Sequence, residues 1–247
     1  MSEIKVIYED DDILILDKPS GVIVNKADTT KGELTVQDWL ESRWKTEGDK
    51  QPMDDQTDFY KRAGIVHRID KETSGILIVA KNEISFLSLQ AQFKDRKVEK
   101  AYIALAHGRV EEKEGEIAVP VGRLPWNRKR FGVLAGGKEA LTNYRVIETL
   151  KYEVLNKQAE ELTLLELKPK TGRTHQIRVH LKYINHPIFA DELYAGRKTA
   201  RDDRKILPRF FLHAQKISFF HPRKGERVDF ESPLPKELQS VLDFLRR

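Results

Sequence analysis

Apolar positions recur along the chain with two different spacings, one suited to strands and one to helices. IKVIYE (4–9) and DILILDK (12–18) read as strands flanking the acidic turn Asp10-Asp11-Asp12, and Pro19-Ser20-Gly21 breaks the second. Ile76-Leu77-Ile78-Val79-Ala80 is a continuous apolar run of strand length, as expected for a buried strand. AYIALAHG (101–108), LTLLELKPKTG (162–172) and KISFF (216–220) complete the predicted strands. In LTVQDWLESRW (34–44), by contrast, Leu34, Val36, Trp39, Leu40 and Trp44 follow near-helical spacing. Asn82 is placed to cap a helix over 83–95 whose Ile84, Leu87, Leu89 and Phe93 form one broad apolar face. RTHQIRVHLKYI, after Gly172, predicts a further helix, and PKELQSVLDFLRR predicts an amphipathic one with Pro235 in its first turn. The polar stretch 45–62 lacks periodic apolar residues and reads as an exposed loop.

Strands and helices are mixed without the regular alternation of a doubly wound parallel fold. The pattern predicts an α+β fold with a largely antiparallel central sheet. No Pro/Gly/Ser-rich linker or internal repeat divides the chain, so residues 1–247 are expected to form one domain. That length is ample for a sizeable core.

Composition narrows the partners. Charged residues make up 34% of the sequence and the formal net charge is +5, a balance that suits a polyanion and equally a merely basic surface. Cysteine is absent, which excludes disulfides, thiolate zinc sites and cysteine nucleophiles. The N-terminus lacks the pattern of a signal peptide, and the apolar runs fall far short of the roughly 20 residues of a membrane span. A cytoplasmic monomer with no membrane association is the expectation.

Three segments concentrate reactive side chains. In His67-Arg68-Ile69-Asp70 a carboxylate stands among cations, which favour its ionised form, and an ionised carboxylate serves as nucleophile or base without a metal. The plain alternative is a turn aspartate in a surface ion pair worth about 0–1 kcal/mol. Gly172-Arg173-Thr174-His175-Gln176-Ile177-Arg178 packs planar guanidiniums suited to carboxylate or phosphate; a solvated cationic helix face explains it as well. Tyr102 opens a strand, where tyrosine is ordinarily core or interface. The seven histidines include no H-E-x-x-H pair, and His175 and His180 are five apart, off one helix face, so no dedicated metal site is expected.

Two basic stretches supply a binding surface. RLPWNRKRF (123–131) sets Trp126 and Phe131 among Arg123, Arg128, Lys129 and Arg130, with Pro125 and Asn127 suggesting a hairpin tip. Aromatics among cations suit stacking on bases and contact with phosphates, unless the rings pack inward. GRKTARDDRKILPR (196–209) is equally cationic, and a solvated loop accounts for it as well.

Taken together and in order, DDDILILDKPSGVIVN, HRIDKETSGILIVAKN, FKDRKVEKAYIALAHG, GGKEALTNYRV, KPKTGRTHQIRVHLKYINHPIFADELY and FLHAQKISFFHP resemble the RluA-type pseudouridine synthases over nearly the whole chain. Ile69 stands where that family more often has Leu, and Ala190 where it usually has Gly. The resemblance implies the pseudouridine synthase fold without an N-terminal RNA-binding module. It implies isomerisation of uridine in ribosomal or transfer RNA, with no cofactor or metal.

By the same resemblance Asp70 is the catalytic carboxylate, Tyr102 stacks on the uracil, and Arg178 pairs with the aspartate. Arg68 helps hold the flipped nucleotide, Leu212 packs on the base, and His67, Arg173, His175 and Gln176 line the site or bind phosphate. Arg123, Trp126, Arg128 and Arg130 are expected to contact flanking RNA. Whether the carboxylate attacks the ring or the anomeric carbon, or acts as a base toward the ribose, stays open. The rival readings are a non-catalytic RNA-binding protein on the same fold and a metal-dependent hydrolase of nucleic acid.

Overall fold

The structure is a computed structural model describing residues 3–27, 32–46, 57–127, 130–152 and 160–247. In chain order the elements are β1 (Lys5–Glu9), β2 (Ile13–Lys18), α1 (Val36–Thr46), α2 (Asp58–Lys61), β3 (Ser74–Ala80), α3 (Glu83–Lys94), β4 (Glu99–His107) and β5 (Glu114–Ala118). There follow β6 (Val121–Arg123), β7 (Phe131–Val133), β8 (Leu141–Tyr152), β9 (Glu160–Pro169), α4 (Gln176–Tyr183), α5 (Arg197–Asp203), β10 (Leu212–Phe220), β11 (Arg227–Glu231) and α6 (Lys236–Leu245). The fold is α+β with mainly antiparallel pairing, as the pattern predicts. Among the described residues no helix is long and apolar enough to cross a membrane.

The residues group into two compact units, Met1–Val98 with Lys216–Ser232, and Glu99–Gln215 with Pro233–Arg247. No separate linker joins them; one crossing falls inside β10, which explains why composition shows no boundary there.

In the first unit β2 pairs antiparallel with β1 and β3, and β10 with β11. Every residue of β3 is buried, so its apolar run has no polar face to alternate with. Ile76, Ile78, Ile13, Ile15, Phe86, Leu89, Ile217 and Phe219 share one core. The acidic turn after β1 is tied to the turn after β10. His221 bonds Asp10 at 2.8 Å, and Arg223 pairs with Asp12 at 2.8 Å. The grouping Asp10, Asp12 and His221 has these bonds and others from Tyr8, Asn82 and Ser85, so it is a closed hydrogen-bond network.

Two sequence expectations change here. Asn82 does cap α3, accepting the Ser85 N–H at 2.9 Å, but the buried face is Ser85, Phe86, Leu89 and Gln92. Ile84 and Leu87 point outward, 81% and 58% exposed. Gln92 is drawn inward because its amide bonds both the N–H and C=O of Phe220, which rotates the helix away from its most apolar face. In the stretch read as loop, residues 57–62 carry α2, which buries Phe59 against Phe86; residues 47–56 lie outside the described set.

In the second unit β4, β9, β8 and β5 pair antiparallel in that order, with Tyr102 opposite Leu167. Leu105, Leu165, Phe189, Phe211 and Leu238 belong to its core. β6 and β7 form a separate hairpin closed by Arg123 opposite Phe131. Pro235 is the N-cap of α6, one position before the first turn expected for it.

The rotation of α3 is testable by urea unfolding. Leu89→Ala should cost about 2–5 kcal/mol, as truncation in a packed core does, whereas Leu87→Ala should fall within about 0.5 kcal/mol of wild type.

Candidate active site

The site residues read from sequence fall in both units. His67, Arg68 and Asp70 lie in the first; Tyr102, Arg123, Trp126, Arg130, Arg173, His175, Gln176, Arg178 and Leu212 lie in the second. Arg128 lies outside the described residues.

Asp70 is half-buried in the loop entering β3. Backbone geometry aims this loop. At Gly64 (φ +78°) an added Cβ would lie 2.1 Å from the Ala80 oxygen, so only glycine lets the chain approach β3 so closely. Ile65 then bridges to Val79, and the Ile78 N–H donates to His67 Nε2 at 2.9 Å. His67 also stacks on Phe93, so it fastens the loop to β3 and α3 and is not a free substrate ligand.

After Asp70 the chain turns, with the Thr73 N–H donating to the Asp70 oxygen at 3.1 Å. The turn is held from the other side by the segment after β2. Lys18 is fully buried, and its ammonium donates to the carbonyls of Pro19, Val22 and Lys71 at 2.8, 2.8 and 3.1 Å. Ser20 donates to the Glu72 oxygen, and the Gly21 N–H to the Lys71 oxygen. Lys18 and Ser20 thus fix the loop that carries Asp70, a role the Lys-Pro-Ser-Gly turn did not announce. Arg68 is exposed.

In the second unit the sequence expectation of a helix from Arg173 is corrected. α4 starts at Gln176, because His175 adopts a left-handed backbone (φ 55°, ψ 18°) that ends helical geometry on its N-terminal side. Gln176 through Leu181 are all buried, so α4 is not a solvated cationic face. Each polar side chain in it is held individually. Gln176 donates to the Leu141 oxygen and Thr142 Oγ1 and accepts from Thr171 Oγ1 and the Arg173 N–H. Its amide is fully used inside the protein, so it does not line the site as expected but pins the entry turn to β8. Arg173 donates through Nε to the Glu139 oxygen.

Arg178, only 5% exposed, makes a two-pronged ion pair with the fully buried Asp191. Its Nε and Nη2 donate to Oδ2 and Oδ1 at 2.7 and 2.9 Å. The guanidinium also lies over the rings of Phe210 (4.3 Å) and Tyr194 (5.0 Å). Asp191 accepts the Leu193 and Tyr194 N–H groups as well. The residue before it, Ala190, has φ 63°, the left-handed conformation that glycine adopts without strain. Asp191 and Tyr194 stand in the segment HPIFADELY. No spacing rule links them to Arg178, thirteen and sixteen residues away.

Tyr102 is half-buried on β4 and packs against the core. Lys100, two residues earlier, shares its side of the strand. Burial of its amine pushes the Lys100 pKa down to about 8. Leu212 is 4% exposed within the core cluster of this unit. At the hairpin tip Trp126 is 76% exposed, so it does not pack inward. Arg123 lies over Phe131 at 5.1 Å, and Phe131 packs edge-on to His175. Of the second basic stretch, Arg204 is engaged by the carbonyls of Ala190 and Pro208 and Lys205 by Asp202, which leaves Arg197, Lys198 and Arg201 as its exposed remainder.

The chain and its fold are similar to those of known proteins. The sequence profile described as RNA pseudouridylate synthase matches residues 12–183. The chain is 38% identical over 99% of its length to an uncharacterized RNA pseudouridine synthase, YlyB, of Bacillus subtilis, covering 74% of that protein. It is 37% identical over 98% of its length to a ribosomal large subunit pseudouridine synthase D of Nitrosomonas europaea, covering 65% of that protein. The solved structure of human RNA pseudouridylate synthase domain containing 1 superposes with a TM-score of 0.69 at 28% identity, over 99% of this chain and 95% of that one. The chain therefore belongs to the RNA pseudouridylate synthase family, isomerases that convert uridine in RNA to pseudouridine.

Two substitutions test the buried polar groups of α4. Arg178→Ala strands the Asp191 carboxylate and should lower stability by about 3–5 kcal/mol in denaturant titrations. His180 donates through Nε2 to the Val119 oxygen while its Nδ1 is buried without a partner. Burial holds its pKa below the ordinary value. The folded protein then resists a proton that the unfolded chain accepts near its usual pKa of about 6.5. Stability contributed by the neutral ring is complete above that pH and is lost as pH falls below it. The slope of unfolding free energy between about pH 6.5 and pH 5 should be smaller in His180→Phe than in wild type.

Proposed function

We propose that this enzyme isomerises uridines of large-subunit ribosomal RNA, with Asp70 as the catalytic carboxylate, Tyr102 against the uracil and Arg178 as a cation that supports the chemical step. The observation that carries the assignment is the Asp70 loop. The loop that carries this half-buried carboxylate is held at the mouth of a wholly buried strand by bonds from the Lys18 ammonium, the Ser20 hydroxyl and the Gly21 N–H to the Lys71 and Glu72 carbonyls, the rigid mounting that a reacting group needs. The ribosomal target is supported by relatives named for the large ribosomal subunit that match 98% of the chain.

In this reading the bond between the anomeric carbon and N1 of uracil breaks, the ring turns, and a bond to C5 forms. The C5 proton passes to water, and N1, released from the ribose, takes up a proton. Bringing the uridine out of its stack costs a few kcal/mol, met by contacts to the flipped base and to flanking phosphates. Arg68 offers an exposed cation for this and Arg173 a half-buried one, and the β6–β7 hairpin offers Arg123, Arg130 and the projecting indole of Trp126. Arg178 arrives prefolded: Asp191 takes two of the five guanidinium N–H donors and fixes the plane of the group. The enzyme acts as a cytoplasmic monomer.

Release of tritium from RNA labelled at C5 of uridine reads the reaction directly. Wild type should release it from large-subunit ribosomal RNA fragments in preference to transfer RNA. Asp70→Asn should lose more than about 100-fold of the rate while still binding RNA. Turnover by this variant at the wild-type rate refutes the role of Asp70.

A further inference from the structure

Tyr194 lies where three parts of the second unit meet, and neither its sequence context nor the proposed chemistry assigns it a task. Its hydroxyl accepts the backbone N–H of Phe131, the first residue of β7, at 3.1 Å. The same oxygen lies 2.9 Å from Nδ1 of His175. With the Phe131 N–H as donor to the hydroxyl, the hydroxyl's own proton serves the imidazole nitrogen, and all three groups are satisfied. The ring meanwhile covers the Arg178 guanidinium, and the Tyr194 N–H donates to Asp191 at 3.3 Å. One buried side chain thus touches the hairpin through its oxygen and the active-site arginine through its face.

The two contacts differ in what they hold. A three-residue strand pair has little stability of its own, and a hairpin this short is positioned by what it packs on. Here that includes the apolar packing of Val121, Phe131 and Val133 with Val179 and Tyr194, the ring of Phe131 against His175 and the bond from Phe131 to Tyr194. His175 is itself in a left-handed conformation, a strained state that persists only where the surroundings impose it. The hydroxyl contributes to that constraint from the other side.

We propose that Tyr194 is a positioning residue with two separable functions: its hydroxyl docks the β6–β7 hairpin for RNA binding, and its ring steadies Arg178 for the chemical step. The proposal rests on the reading of the hairpin as an RNA contact. Docking fixes the direction of Arg123 and of the exposed Trp126 relative to α4, both in the same unit, so RNA gripped at the hairpin meets Arg178 in a set geometry. Binding energy gained at the hairpin is then available at the reacting nucleotide, as remote contacts supply it in other enzymes.

The test compares the intact protein with Tyr194→Phe and Tyr194→Leu. Backbone amide hydrogen exchange is followed in peptides covering 124–134, and kcat and KM are measured by tritium release from a ribosomal RNA fragment. Tyr194→Phe keeps the ring and removes the oxygen. Exchange at the hairpin should rise about tenfold and KM about three- to tenfold, the size of one lost hydrogen bond, with kcat within about twofold of wild type. Tyr194→Leu removes both contacts and should in addition lower kcat by about tenfold or more. If Tyr194→Leu does not fold, the near-isosteric Tyr194→Phe still decides the docking function. Wild-type exchange and KM in Tyr194→Phe overturn the proposal, as does a loss of kcat in that variant with KM unchanged. A wild-type protein inactive on every RNA would refute the proposed function instead, and the exchange comparison would still accept or reject the docking bond.

Discussion

The second unit is organised around a charge that must be buried and must not move. A guanidinium withdrawn from water is tolerable only with a partner and with its donors satisfied, and Asp191 supplies both by a two-pronged contact. Meeting that demand fixes much else. The carboxylate needs its own donors, which come from the amides of Leu193 and Tyr194, so the chain after Asp191 must turn tightly. That turn places Ala190 in a left-handed conformation and brings the Tyr194 ring onto Arg178. The ring of Phe210 also lies against the guanidinium. Arginine held this firmly loses little further freedom when it meets a substrate or a carboxylate, which is the condition for electrostatic help at a reacting centre.

The first unit solves a different problem by the same economy. Asp70 is in a loop, and loops are poor at holding a group still. The rigidity comes from β3, buried on both sides, and from the buried ammonium of Lys18, whose three donors bind three carbonyls of irregular backbone. Those carbonyls belong to no ladder and would otherwise be difficult to satisfy away from water. A lysine buried here supplies several donors on one flexible stem.

The strands were legible because their cores are written locally. Ile76 to Ala80 is apolar at every position and β3 is buried at every position. The Asn82 cap of α3 was also legible, since capping depends on neighbours three residues away. The buried face of that helix was not. Ile84 and Leu87 look like core residues, and the bond between Gln92 and Phe220, 128 positions apart, turned them outward. α4 was ambiguous in the sequence, where a solvated cationic face explained it as well as a binding cluster. Its Gln176, Arg178 and His180 are all buried, which removes the solvated face, and their partners Thr142, Asp191 and Val119 come from distant segments.

What the sequence by itself determined is the α+β class, most strand positions and the family, and it singled out Asp70, Tyr102 and Arg178 as candidates for the chemistry. These follow from side-chain type, local spacing and a long ordered resemblance. What only the tertiary structure decided is which groups hold those residues in place: Lys18 behind the Asp70 loop, and Asp191 and Tyr194 around Arg178. It also reassigned His67 and Gln176 from binding to anchoring. The reason is physical. A hydrogen bond or ion pair between distant positions has no signature in the order of residues, because it depends on a distance and an angle that exist only once the chain has folded.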